Sequence, residues 1–441
     1  MKAKTLFFGL SAVSFATSAY ADVTVNITGS TAFRSATLDS IKAKYLAEPL
    51  ATRSFKYAHD QTTSAKFNGA TRAIFIGKFP GITGTTTIRC CFTGSVEGIK
   101  ALAIPADPLA TYYAPSLLSS TTATNTGAEL LNQGTTTATN SPSQIAFSDV
   151  SKASTPYSGS SMTGTTPGIV VFTMMTNKGS SITNVTGQQF RALLTAGYQP
   201  LSMFTGNPND TSNVFATGRN DGSGTRTTYL AETGYGITNA VKQYVTIAST
   251  TTDLTKIQLV PAGGVNTLNG QPATGQSASN ASTIWGQDIA GNGGYNSGSV
   301  LRGDMAKAGA SVTVLDETGI DIFGGTVRAD LVTWVSVGDA VVAYNSGNGA
   351  TYCAYNGVKL DQMAAGATSI NASATDKAKV TNGLYTAWGY QNMYRRNDLT
   401  SDQLAVFNAI NGAIPTNLGA AGIPFSEMAV FRSLDGGLVA P

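Results

Sequence analysis

Three times along this chain an apolar run ends in a glycine–hydroxyl turn and passes straight into a helical pattern. "VTVNITGSTAFRSATLDSIKAKYL" alternates Val23, Val25 and Ile27 as a half-buried strand would. It turns at Gly29-Ser30-Thr31, then repeats Leu38, Ile41 and Tyr45 at helical spacing. "TTTIRCCFTGSVEGIKALA" turns at Thr93-Gly94-Ser95 and sets Val96, Ile99 and Ala103 on one helix face. "SNVFATGRNDGSGTRTTYLAETG" does the same, with Gly234 placed as a C-cap. A fourth segment, "SQIAFSDV", is a short apolar strand delivering Ser148-Asp149 at its end. Strands alternating with helices imply an α/β fold, in which such turns gather beyond the carboxyl ends of the strands.

The first turn of a helix leaves backbone N–H groups without intrahelical partners, and the dipole makes that end positive. Glycine permits close backbone approach, and hydroxyls add neutral donors, so an anion is the natural guest. A single Gly-Ser-Thr turn is usually an ordinary N-cap. "GRNDGSGT" is more specific because Arg219 adds a fixed cation for a bidentate contact to an oxyanion. Asp221 is placed to hold that guanidinium.

Composition narrows the setting. Only 12% of the 441 residues are charged, against 42% hydrophobic, which disfavours a nucleic-acid binder, since that requires a dense basic face. The length suits two lobes, each with its own core. Residues 1–21 read as a signal peptide: Lys2 and Lys4, an apolar run, then Ala19-Tyr20-Ala21. Its removal leaves 26 basic against 25 acidic residues, a nearly neutral exported protein suited to a periplasm. Cys90, Cys91 and Cys353 allow either one long-range disulfide or three buried thiols, and no spacing matches a zinc site. His59 is the sole histidine and no GxSxG elbow accompanies it, so no catalytic residue, metal or cofactor is expected.

"GRNDGSGT" resembles the arginine loop of the phosphate-binding proteins that serve high-affinity phosphate ABC transporters. "ITGSTAF" is similar to that family's first phosphate loop, "FTGSVEGIKAL" to its second and "IAFSDV" to its Ser-Asp stretch. "PGIVVFTMMTN", "FRALLTAGYQPLSMFTG" and "TAWGYQNMY" resemble the surrounding segments in the same order, over residues 22 to about 396. The resemblance implies a two-lobed periplasmic-binding fold of type 2, each lobe a mixed sheet flanked by helices. Lobe one would be 22–173 plus 384–441 and lobe two 174–383, with the ligand cleft between them. It further implies a monomeric, non-enzymatic binder of inorganic phosphate that hands its ligand to a membrane permease. Ser30, Thr31 and the N–H of Ala32, with Ser95, would hold the anion from the first lobe. Arg219, Asp221, Ser223, Gly224 and Thr225 would hold it from the second lobe or the cleft edge. Asp149 would accept a hydrogen bond from the proton that phosphate carries and sulfate lacks.

The sequence departs from the pattern in three places. Glu97 stands where the second loop usually has a small residue, either as a first-turn acid or as an inward carboxylate paired with Arg34 or Arg226. Arg34 stands where proline is common. Residues 106–143 form a polar insertion read as a surface excursion, and 205–213 and 263–300 read as loops. Trp388, Tyr390 and Tyr394 are expected to pack at the hinge. A cell-surface structural protein with lost affinity is the alternative function. The leader reading predicts an exported chain starting at or near Asp22. The intact mass of the secreted protein checks this, and retention of residues 1–21 would refute it.

Overall fold

The computed structural model describes residues 22–105, 110–134, 138–260, 267–268, 271–272, 276–277, 293–345 and 349–441. The signal peptide reading, most of the 263–300 run and parts of the 106–143 insertion lie outside them. The elements that place the site are β1 (Val23–Gly29), α1 (Arg34–Leu46), β2 (Thr86–Cys91), α2 (Ser95–Ala103), β3 (Ile145–Ser148), β4 (Met162–Thr176), β5 (Asn213–Ala216), α3 (Gly224–Glu232), β6 (Ala329–Ser336), β7 (Trp388–Arg396) and α4 (Ser401–Ala413). The expected α/β class and its mixed sheets are what the chain forms.

One hydrogen-bonded sheet runs through the molecule in the order β5-β6-β4-β7-β3-β1-β2, then onward through Arg72–Gly77 and Phe55–His59. Within it β1 lies parallel to both β2 and β3, with Thr28 opposite Cys91 and Gly29 opposite Phe147. The turns after these three strands therefore open at one edge. β5 and β6 are likewise parallel. β4 ties the halves together: eight of its first ten residues pair antiparallel with β7, around a bulge at 166–167, and its last five with β6.

Two hydrophobic clusters flank this crossing. One gathers β1, α1, β2 and α4 around Ile27, Leu38, Ile41, Phe75, Phe147 and Ile410. The other gathers β4, β5, α3 and β6 around Phe172, Phe190, Phe215, Leu230 and Trp334. Leu38, Ile41 and Tyr45 form the buried stripe their spacing predicts. β1 is not half-buried as its alternation suggested: Asn26 and Thr28 are also covered, as befits an interior parallel strand with helices on both faces. α2 is buried almost throughout, including Glu97 and Lys100. Gly234 has φ +69° just past α3, the left-handed position a C-terminal glycine suits.

The 106–143 segment is more than a surface excursion. Thr111–Tyr113 pairs with Ala138–Asn140, and Ala128–Leu130 adds a strand beside Phe55–His59. Tyr112, Tyr113 and Leu118 are fully buried, which supplies the reason: apolar bulk outweighs the polar composition around it. At 293–300, Gly294–Tyr295 is a buried strand and Gly298 opens a helix, so this part is not a loop. The three cysteines are free and buried, so of the two readings the thiols hold. Trp388 is buried under the Arg432 guanidinium, 4.1 Å from its ring centroid. Arg432 also pairs with Glu232 at the end of α3, at 2.7 Å, while Asp435 accepts from Ser151 N–H (2.8 Å) and Ser154 Oγ (2.6 Å). The final residues thereby join the segment after β3 to α3.

α2 sits close enough to β1 that a Cβ at Gly98 would lie 2.5 Å from Gly29 Cα. Backbone cannot yield as a side chain does. Gly98→Ala is expected to destabilise the protein by about 1–3 kcal/mol despite the roughly 1 kcal/mol gain in helix propensity. Urea unfolding measures the difference.

Candidate functional site

The parallel arrangement of β2, β1 and β3 brings their three turns together, and glycine makes the contact possible. Gly29 adopts φ +115°, where a Cβ would fall 2.0 Å from Phe147 O. Ser30 N–H then donates to Phe147 O at 2.7 Å and Gly94 N–H to Gly29 O at 2.9 Å, fastening the turns to one another. The loop before α3 joins them from the other half of the molecule. Val96 N–H donates to Gly222 O at 3.1 Å, and a Cβ at Gly224 would meet Ser95 Oγ at 2.4 Å and Asp149 Cβ at 3.0 Å.

Side chains complete the junction. Ser30 Oγ donates to Asp149 Oδ1 in a very short bond and accepts from the N–H groups of Ala32 and Phe33, both at 3.1 Å. Asp149 N–H donates to Ser95 Oγ at 3.1 Å. Arg219 is buried and donates from Nε to Tyr295 O (2.9 Å) and from Nη2 to Asn296 O (3.0 Å). Two main-chain carbonyls therefore orient its guanidinium. Gln243 braces the same corner, donating to Arg219 O at 3.1 Å and Gly293 O at 2.6 Å.

Of the ten residues singled out in the sequence, Ser30, Ser95, Asp149, Arg219, Ser223, Gly224 and Thr225 lie in the buried junction. Thr31, Ala32 and Asp221 line a cleft of about 1020 Å³ that opens beside it. Glu97 faces this cleft, with Lys100 Nζ 3.5 Å from its carboxylate. Reading the sequence missed the carbonyls of Tyr295 and Asn296, which no residue type advertises. It noted Arg34 as a departure and a candidate partner for Glu97, not as a ligand, although Arg34 also lines the cleft. One signal was available: a cation at the first position of a helix opposes the helix dipole. Among the described residues, no group of three or more His, Cys, Asp or Glu could hold a metal ion, and no helix is long and apolar enough to cross a membrane.

Burial pushes the Asp149 carboxyl up to about 6, against the opposing pull of the Ser30 and Ser95 hydroxyls and of Arg219. Burial likewise lowers Arg219 to about 10, with Asp339 and Asp149 favouring its charge. The carboxyl therefore exchanges its proton near pH 6 and at neutrality is mostly an acceptor. Because the folded state holds the Asp149 proton more tightly than the unfolded chain, stability falls as pH rises from about 4 to about 6. The contribution is on the order of 1–3 kcal/mol. Asp149→Asn should remove this slope. Urea unfolding of both proteins at pH 4 and pH 7 tests it: an unchanged gap between them would contradict the assignment.

No protein-family model and no curated protein matches the chain. Among solved structures, the chain is similar to several described as phosphate-binding or phosphate-transport proteins. A Clostridium perfringens protein described as a phosphate ABC transporter substrate-binding protein, with bound phosphate, is 12% identical. It covers 91% of this chain and 99% of its own, at a TM-score of 0.41. An ABC-type phosphate transport receptor from Vibrio cholerae is 12% identical, with coverage of 91% and 99% and a TM-score of 0.38. A phosphate-binding protein from Stenotrophomonas maltophilia is 13% identical, with coverage of 92% and 91% and a TM-score of 0.36.

Proposed function

We propose that this protein is an exported, non-enzymatic receptor that captures phosphate between two lobes and presents it to a membrane transporter. The observation that carries the reading is the meeting of Ser30, Ser95, Asp149, Arg219 and the Gly224 loop in one buried junction, beside a cleft lined by Thr31, Ala32 and Asp221. Lobe one comprises 22–173 with 384–441, lobe two 174–383, and β4 and β7 serve as the crossings between them.

In this reading the hydroxyls of Ser30, Thr31, Ser95, Ser223 and Thr225 and the N–H groups of Ala32 and Gly224 supply neutral donors, the Ser30 hydroxyl and Ala32 N–H turning to the anion from the Asp149 and Ser30 Oγ acceptors described above. Arg219 supplies the positive charge, oriented in advance by its two carbonyl acceptors. Asp149 acts as the selector. A buried carboxylate repels an anion unless the guest brings a proton to share. Phosphate near neutral pH carries one and sulfate does not, so sulfate leaves the carboxylate facing a second negative charge, a penalty of about 1–3 kcal/mol or more. Closure of the lobes on the ligand then marks the loaded state for a transporter by population shift. Glu97 at the cleft wall favours a second reading, a secreted structural protein with the same architecture and little affinity, because it sets a carboxylate, partnered by Lys100, on the wall of the cleft.

Calorimetric titration separates the two. Phosphate should bind saturably and sulfate should compete poorly, whereas the structural reading gives no saturable heat. Arg219→Ala should weaken phosphate binding on the order of 100-fold or more. Asp149→Asn should erode the preference over sulfate, and intact discrimination in that variant would remove Asp149 from the ligand shell.

A further inference from the structure

Residues 431–440 touch both the segment that carries Asp149 and the helix that follows the Arg219 loop. Phe431 and Ala440 exchange main-chain hydrogen bonds at 2.8 and 2.9 Å, which closes the stretch into a loop. Within it one oxygen of Asp435 accepts from Ser151 N–H at 2.8 Å and Ser154 Oγ at 2.6 Å, just past Asp149. The buried Arg432 donates from Nη1 to Glu232, the last residue of α3, at 2.7 Å and from Nη2 to Thr386 O at 2.8 Å. Its main chain is held too: the Tyr390 hydroxyl accepts from Arg432 N–H at 2.8 Å and donates to Arg432 O at 2.9 Å. Gly436, at φ +68°, lies so close to α3 that a Cβ would fall 2.3 Å from the main chain of Ala231.

The two pieces gripped in this way are the ones that meet at the site. α3 begins at Gly224, against Ser95 and Asp149, and Gly389 of β7 packs on both sides of the meeting. A Cβ at Gly389 would lie 2.6 Å from Asp149 O and 3.4 Å from Thr228 Oγ1 of α3. Arg432 and Asp435 stand three positions apart on one closed loop, so Ser151 and the end of α3 share a single support. We propose that residues 431–436 are a positioning strap for the anion site: Asp435 holds the Asp149 segment, Arg432 holds α3, and together they set how the Asp149 carboxyl meets the donors of the Gly224 loop. This rests on the phosphate reading above. Neither Arg432 nor Asp435 lines the cleft, so both act through the residues they hold. Arg219 is anchored independently, by the carbonyls of Tyr295 and Asn296. Releasing the strap therefore displaces the selector while leaving the cation in place, and the preference for phosphate over sulfate is lost ahead of anion attraction in general.

The test compares wild type, Asp435→Ala and Asp435→Asn as full chains. Asparagine keeps a side-chain oxygen for the two donors and gives up only the charge, so it is the geometric rescue. In calorimetry with inorganic phosphate and with sulfate, Asp435→Ala should weaken phosphate on the order of tenfold and narrow its preference over sulfate, and Asp435→Asn should restore most of both. With no ligand added, amide hydrogen exchange in Asp435→Ala should quicken at 149–155 and at 224–232 together. Ser154→Ala removes one donor only; it should shift the same readouts less, and it carries the test if Asp435→Ala does not fold. Phosphate binding by wild type with unchanged affinity and preference in Asp435→Ala overturns the strap and leaves the phosphate reading standing. Equal weakening of both anions marks a general loss of packing and overturns the positioning role. Exchange that quickens at 149–155 alone overturns it as well, whether or not phosphate binds. If wild type takes up no phosphate, the phosphate reading falls and the strap's role at the site falls with it.

Discussion

Everything at the candidate site depends on how closely four pieces of main chain approach one another. Gly29 against Phe147, Gly98 against Gly29 and Gly224 against Ser95 are contacts that a single methyl group would break. Such closeness lets short side chains do what long ones do elsewhere. Serine hydroxyls reach a carboxylate and backbone N–H groups without spanning a gap, so the donors are held by covalent geometry and not by flexible stems. The polar junction is correspondingly well bonded, and its one acid is the group whose proton affinity changes most usefully.

The surrounding charges are arranged as commitments. Arg302 takes Asp339, Lys100 stands by Glu97, and Arg432 takes Glu232 while stacking on Trp388. Arg219 donates to carbonyls, which fix its direction without neutralising its charge. Arg34 Nε has no such engagement. Its charge is favoured instead through space, by Asp339 and Asp60.

Much of this was legible in the residues. Glycine followed by serine or threonine between an apolar run and a helical pattern has few uses, and the structure brings Ser30, Ser95 and Asp149 together as that pattern implied. The architecture was legible for the same reason, because alternating periods dictate parallel strands with helices over them. What escaped were partners distant in sequence and anonymous in type. The carbonyls of Tyr295 and Asn296 look like any others, and the anchoring of Asp435 to Ser151 and Ser154 spans most of the chain. The buried Tyr112 and Tyr113 were hidden by composition, since the threonines and serines around them dominate any average.

The position of β7 has a consequence for how the molecule is made. It lies between β3 and β4, strands that precede it by more than two hundred residues, and it is hydrogen-bonded to both. A chain emerging from its N-terminus builds the flanks of the central sheet early, yet keeps two raw edges apart until residues 388–396 slide in as a wedge. Assembly is therefore closed by one of the last pieces delivered, and until then the nascent protein carries a slot shaped for a strand, open to any other strand that passes.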